Sequence, residues 1–195
     1  MQIFWDDNIL EKMEGGNFWL SETPEMPGVV GWDAAHVRMF RGNKDKILTV
    51  FNTQLDHIGK VARNESVVLL WDQMTSIVES RKTPIILLGD FNDFHINYPY
   101  QYLTGKEGAH LTDAYKVAET QLGNEVSFTY HGWMGPNKPE EKNTTAMENH
   151  IDWILFHPAS LEVKRSQVIT EARDKEGTLF PSDHYPLTSL FSFPE

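Results

Sequence analysis

The sequence contains no cysteine in 195 residues, which excludes disulfides, Cys-based zinc sites and a thiol nucleophile while saying little about compartment. No apolar run approaches the roughly 20 residues needed to span a bilayer, and no basic stretch opens the chain ahead of an apolar one. As written it reads as a cytoplasmic chain with no membrane span and no export signal. Basic residues are scarce, 17 Lys and Arg against 28 Asp and Glu for a formal charge of -11, so a broad electrostatic grip on duplex DNA is not expected. A site reached through a bound cation stays compatible with that balance, because the metal is often the largest local charge. The Gly-x-Ser-x-Gly elbow of a serine hydrolase is absent. No internal repeat or interdomain linker is visible either, so residues 1–195 are expected to form a single domain.

What is present is the composition of an ordinary globular protein, 40% apolar and 12% aromatic, long enough to bury one sizeable core. Met1 to Trp5 reads as a strand, Asn17 to Leu20 as a second, and Ser21 to Gly31, with two prolines and two glycines, as loop. Trp32 to Phe40 resumes extended structure. Lys46 to Thr53 is β-branched and aromatic and ends in the polar cluster Asn52-Thr53-Gln54. From Ala62 to Ser80, Val67, Leu70, Trp71, Met74, Ile77 and Val78 recur at helical spacing. Pro84 to Leu88 then reads as a strand buried on both faces. Short helices are expected over Tyr98–Leu103 and Asp113–Leu122, a strand over Val126–Trp133, and a surface loop over Met134–Asn149. Ile151–Phe156, Leu161–Thr170 and Leu187–Phe193 complete the set as strands. Strands outnumber helices and only some are joined by them, which points to a layered α/β fold with a mixed sheet.

Polar chemistry stands at the ends of these strands. Gly89 breaks the buried run just before Asp90 and Asn92; Asp152 opens one later strand, and Asp183-His184 precedes the last. In open α/β sheets ligands bind beyond strand ends, and carboxylate and amide oxygens suit a hard cation such as Mg²⁺. A histidine can contact the phosphate such a cation would bring, its tautomer set by a carboxylate on the other nitrogen. Taken singly, each residue has a plainer explanation: Asp90 or Asp183 as turn caps, Asp152 on a solvated strand face, His184 as incidental. The case for function rests on the combination.

That combination resembles the endonuclease/exonuclease/phosphatase superfamily of metal-dependent phosphoesterases. Gly89-Asp90-Phe91-Asn92 is similar to its Gly-Asp-Phe-Asn motif, Ile151-Asp152-Trp153-Ile154 to its Asp-bearing penultimate strand, and Ser182-Asp183-His184-Tyr185-Pro186 to its terminal Ser-Asp-His-x-Pro motif. Asn52 to His57 corresponds to its Asn-Thr-His-Leu segment, and Phe18 to Ala35 resembles the bacterial branch near the deadenylases. The resemblance implies a DNase I-like four-layer α/β/β/α sandwich of two mixed sheets with outer helices, here lacking the first strands and helix. It also implies Mg²⁺ or Mn²⁺ and in-line attack of water on phosphorus. By position, Asp90 would activate the water or ligate the metal, Asn92 would orient the phosphate and face the metal, Asp183 would support the metal, and His184, held by Asp152, would contact the phosphate. Asn52, Gln54 and His57 would line the substrate side.

Two departures from the family pattern bear on activity. The segments that would supply the family's first Asn and its principal metal-binding Glu have no counterpart, so the metal is expected to bind weakly. Gln54 stands where the family has a phosphate-contacting His; an amide donates a hydrogen bond but carries neither proton nor charge. His57 would substitute only if its loop turned inward. These features favour an alternative, a catalytically impaired remnant or a phosphate-ligand-binding protein of the same fold, whereas the intact Asp90, Asn92, Asp152, Asp183 and His184 favour an enzyme. The Gly-Asn-His-Glu segment of calcineurin-like phosphatases and the Trp-x-Gly-Asp and Cys-Asp-Arg segments of inositol phosphatases are absent. Acidic charge and aromatics at Trp32, Phe94, Tyr98 and Trp133 lean toward a small phosphate ester or a short single-stranded nucleic acid over duplex DNA.

Overall fold

The computed structural model describes residues 2–21, 34–79, 83–105, 108–139, 149–159, 161–174 and 177–194. Trp32 and most of the loops expected at Ser21–Gly31 and Met134–Asn149 lie outside them. The six-stranded sheet contains β1 (Glu11–Trp19), β2 (Ala34–Arg41), β3 (Ile47–Gln54), β4 (Ile85–Asp90), β5 (Thr112–Asp113) and β7 (Asp152–Phe156), in the order β1-β2-β3-β4-β7-β5. The three-stranded sheet is β6 (Thr120–Leu122), β8 (Glu162–Val168) and β9 (Leu187–Ser192), in the order β6-β8-β9. Both sheets are mixed: β3 and β4 run parallel, as do β6 and β8, and the other pairs are antiparallel.

β4 shows why the sheets stack. Ile85 and Leu87 point to one face and join the cluster containing Val67, Leu70, Met74 and Val78 of helix α1 (Lys60–Glu79) and Leu103 of α2 (Tyr98–Thr104). Ile86 points the other way with Leu88 and packs with Ile154, Phe156, Val163, Leu187 and Phe191, the apolar layer between the sheets. Successive residues of a strand face opposite sides, so an uninterrupted apolar run is what a strand buried on both faces requires. Helices therefore lie outside one sheet and the second sheet covers its other face. No helix among the described residues is long and apolar enough to cross a membrane.

The expected elements shift in three places. Gln2–Trp5 is irregular, not a strand: the Gln2 carbonyl accepts from Asn52 Nδ2 at 3.1 Å, and the Trp5 ring lies 5.5 Å from that of Phe40. It crosses neighbouring strands instead of pairing with one. Asp113–Leu122 is helical only at α3 (Ala114–Val117), started by the Asp113 side chain accepting from Tyr115 N at 2.9 Å. Beyond it Thr120–Leu122 pairs parallel with Arg165–Gln167, so sheet pairing prevails over local helix preference. Among the described residues Val126–Trp133 makes only single bridges, Phe128 to Asn149 and Tyr130 to His184.

Candidate active site

Strand register brings the carboxylates together. Asp90 and Asp152 are paired residues of antiparallel β4 and β7, and Gln54 is paired with Asp90 across parallel β3 and β4. Paired residues project from the same face. That face carries Ile86, Leu88 and Ile154 of the inter-sheet core, which gives way to polar groups at one end. Gly89 permits the close approach: its φ is 149°, and a Cβ there would lie 1.9 Å from the Thr53 carbonyl oxygen.

His184 arrives from the segment before β9. Its backbone N donates to Ser182 Oγ at 3.1 Å, while the Asp183 carbonyl accepts from the backbone N of His131 and Gly132 at 2.9 and 3.0 Å. Thr129, fully buried, ties this segment to the start of β7. Its carbonyl accepts from Tyr185 N at 2.8 Å, and its Oγ1 accepts from Ile151 N and Asp152 N at 3.1 and 3.2 Å. The outcome is His184 Nδ1 at 2.8 Å from Asp152 Oδ2. Because a carboxylate only accepts, Nδ1 carries the proton, and Nε2 is the ring nitrogen left for a ligand.

Asn92 adopts the left-handed conformation at φ 50°, with its N donating to Asp90 Oδ1 at 2.9 Å and its Nδ2 to the Leu55 carbonyl at 2.7 Å. The same loop is anchored on α1 by a buried ion pair, Arg63 Nε to Asp93 Oδ2 at 2.9 Å, while an Arg63 terminal nitrogen donates to the Asp56 carbonyl at 2.8 Å. Sequence inspection missed both Thr129 and this ion pair. For Arg63 a signal existed: it lies four residues before Val67, in line with the buried stripe of α1, where a charge needs a partner. Nothing local distinguishes Thr129.

The electrostatics follow from this packing. Burial first, and the neighbouring Asp152 second, push the Asp90 carboxyl above the ordinary carboxylate range. The hydrogen bond to Asp152 raises His184, burial opposes it, and Asp90 and Asp183 add attraction for the imidazolium. A cavity of about 290 Å³ opens beside the pair, lined by Leu88, Asp152, Ile154, Ser182, His184 and Leu187 among others. Asp90, Asp152, Asp183 and His184 are thus neighbours, with Gln54 alongside. Asn52 shares their sheet face, its amide turned to Gln2. His57 lies apart: its side chain is 76% exposed, 3.9 Å from Asp56 Oδ1. The inward turn needed for it to stand in for the family histidine is not adopted.

A two-sheet α/β sandwich with an Asp-His pair and a second carboxylate at one end of the inter-sheet face defines a class of phosphoester-processing proteins. The chain belongs to the endonuclease/exonuclease/phosphatase family, whose model matches residues 10–184. Among solved structures it is similar to a mannosyl-6-phosphatase of Bacteroides thetaiotaomicron VPI-5482, at 30% identity and TM-score 0.78, with 95% of this chain matching 68% of that one. An endonuclease/exonuclease/phosphatase from Bacteroides vulgatus is 28% identical with TM-score 0.77, over 97% of this chain and 69% of that one. The sulfate-bound catalytic domain of human Nocturnin, 20% identical with TM-score 0.66 over 96% and 61%, shares the fold. No curated protein matches the chain.

The family implies a divalent metal. Among the described residues no three His, Asp or Glu side chains converge to enclose a cation. Mg²⁺, however, commonly binds through one or two carboxylates, retaining waters and taking substrate phosphate oxygens. Asp90, a half-buried carboxyl raised by burial and by the adjacent Asp152, is a donor such a hydrated cation would suit.

Proposed function

We propose that the chain is a metal-dependent phosphoesterase that hydrolyses a small phosphate ester by in-line attack of water. The observation carrying this reading is the 2.8 Å contact of His184 and Asp152 beside the half-buried Asp90. Asn92 and Asp183, with Asp90 where it does not act as the base, would hold Mg²⁺ or Mn²⁺, which would supply Lewis-acid stabilisation of the phosphoryl oxygens. Asp90 takes a proton from the attacking water, the alternative to direct ligation of the metal. Asp152 holds His184 so that Nε2–H donates to a non-bridging phosphate oxygen as charge grows there. Water adds to phosphorus opposite the leaving oxygen, the bond to that oxygen breaks, and the departing alkoxide takes a proton from solvent while Asp90 returns its own to solvent. The mannosyl-6-phosphatase among the relatives and the acidic charge of -11 support a sugar phosphate monoester over a nucleic-acid duplex. A short single strand is the second substrate reading.

The test is hydrolysis of hexose 6-phosphates and of bis-p-nitrophenyl phosphate with Mg²⁺, with excess EDTA, and by His184→Ala. Turnover is expected with Mg²⁺ only and in the wild type only; turnover that persists in EDTA or in His184→Ala overturns the mechanism. The alternative, phosphate-ligand binding without turnover, is favoured by Gln54, which is paired with Asp90 and stands where the family has a phosphate-contacting His, and by the lack of a counterpart to the family's metal-binding Glu. Calorimetric binding of a hexose 6-phosphate with no phosphate release would establish it.

A further inference from the structure

We infer that Tyr130 is a positioning residue for His184, acting through its ring; the inference rests on the phosphoesterase reading only for its effect on rate. The hydrogen bond to Asp152 holds one atom of the imidazole, Nδ1, and a single bond leaves the ring free to rock about that anchor. A second contact is needed to aim Nε2. Tyr130 and His184 are paired residues of an isolated antiparallel bridge, so their side chains leave the backbone on the same side. Their ring centroids are 5.0 Å apart at an interplanar angle of 56°, a tilted aromatic contact of the favoured range.

Tyr130 is itself held. The Lys138 ammonium lies 4.9 Å from the centroid of its ring and 4.9 Å from that of Phe128, and donates to the Tyr130 carbonyl at 2.6 Å. Phe128 and Tyr130 are two residues apart in extended chain, so one cation spans both rings. Gly132, at φ 57°, leaves room for the phenol, since a Cβ there would lie 3.2 Å from its oxygen. The Tyr130 hydroxyl has no hydrogen-bond partner among the described residues, and the side chain remains 40% exposed. A large aromatic ring beside the site whose hydroxyl has no partner among the described residues acts by shape, so phenylalanine should replace it and an aliphatic side chain should not.

The experiment uses the full chain and two readouts. The first is kcat and KM on a hexose 6-phosphate with Mg²⁺. Tyr130→Leu should lower kcat about tenfold, the scale of one modest transition-state contact, with KM changed less than about twofold; Tyr130→Phe should restore kcat. The second is the solvent-exchange rate of the His184 Nδ1 proton by NMR, assigned through His184→Ala, which should rise in Tyr130→Leu, where the ring loosens on Asp152, and stay at the wild-type value in Tyr130→Phe. An unchanged exchange rate in Tyr130→Leu overturns the inference, and so does Tyr130→Phe behaving as Tyr130→Leu, which would assign the role to the hydroxyl. A wild type without turnover removes the phosphoesterase reading, and the exchange rate then decides the positioning role by itself.

Discussion

Asp90 and Asp152 are paired across β4 and β7, so two carboxylates share one sheet face, and only Asp152 has a histidine against it. Asp152→Asn removes the charge that raises His184 and relieves the repulsion that raises Asp90. Activity should fall about 10²-fold, the lower range for loss of a positioned acid–base group. Folding stability should fall by no more than about 1–2 kcal/mol, because the amide keeps an acceptor for His184 and the side chains, 25% and 22% exposed, are partly screened. Steady-state kinetics beside urea denaturation separate the two effects; a large loss of stability would show that the pair is mainly structural.

Gly89→Ala should be among the most damaging single-methyl additions in the chain. The new Cβ would stand 1.9 Å from the Thr53 carbonyl oxygen at a φ of 149°, so β3 and β4 must separate at the strand end that presents Asp90. Backbone strain and lost ladder bonds together should cost about 3 kcal/mol or more, read as a lower urea midpoint. A midpoint shift equivalent to under about 1 kcal/mol would mean that the strand end yields easily.

Arg63 and Asp93 are 11% and 3% exposed at the side chain, and breaking a buried pair leaves an uncompensated charge. Arg63→Met should therefore cost about 3–5 kcal/mol, while Arg63→Met with Asp93→Asn should recover part of that loss. The cycle also reaches the site, because the pair anchors the loop carrying Asn92. Additive effects in the double variant would show that the two side chains are not energetically coupled.

The parts of this molecule legible beforehand are those whose signal is local. The apolar run ending at Gly89, the stripe from Val67 to Val78 in α1, and Asp90, Asp152 and Asp183-His184 at strand ends announce themselves within a few residues. What was not legible depends on distant partners. Gln2–Trp5 has the apolar, aromatic composition of a strand, but its contacts run to the Asn52 side chain and the Phe40 ring instead of to a strand backbone. Val126–Trp133 has strand composition, yet the Thr129 hydroxyl takes the backbone donors of Ile151 and Asp152. Tyr130 gains meaning only from its bridge to His184.

Acid should unfold this protein partly through His150. The ring is buried, 5.2 Å from that of Tyr115, and burial lowers its pKa to about 4, against attraction from Asp152. In the unfolded chain His150 titrates near its ordinary value of 6.5. Above that pH both states carry it neutral and its contribution is intact. As pH falls from 6.5 toward 4 the unfolded state takes up a proton that the folded state refuses, so stability declines by about 3 kcal/mol across that window. His150→Phe keeps the aromatic contact and removes the proton site, so its stability should fall less steeply between pH 6.5 and 4, and the difference between the two pH profiles isolates this residue. Parallel profiles would show that the acid sensitivity resides elsewhere, with the buried His95, lowered to about 2 mainly by burial, as the next group to replace.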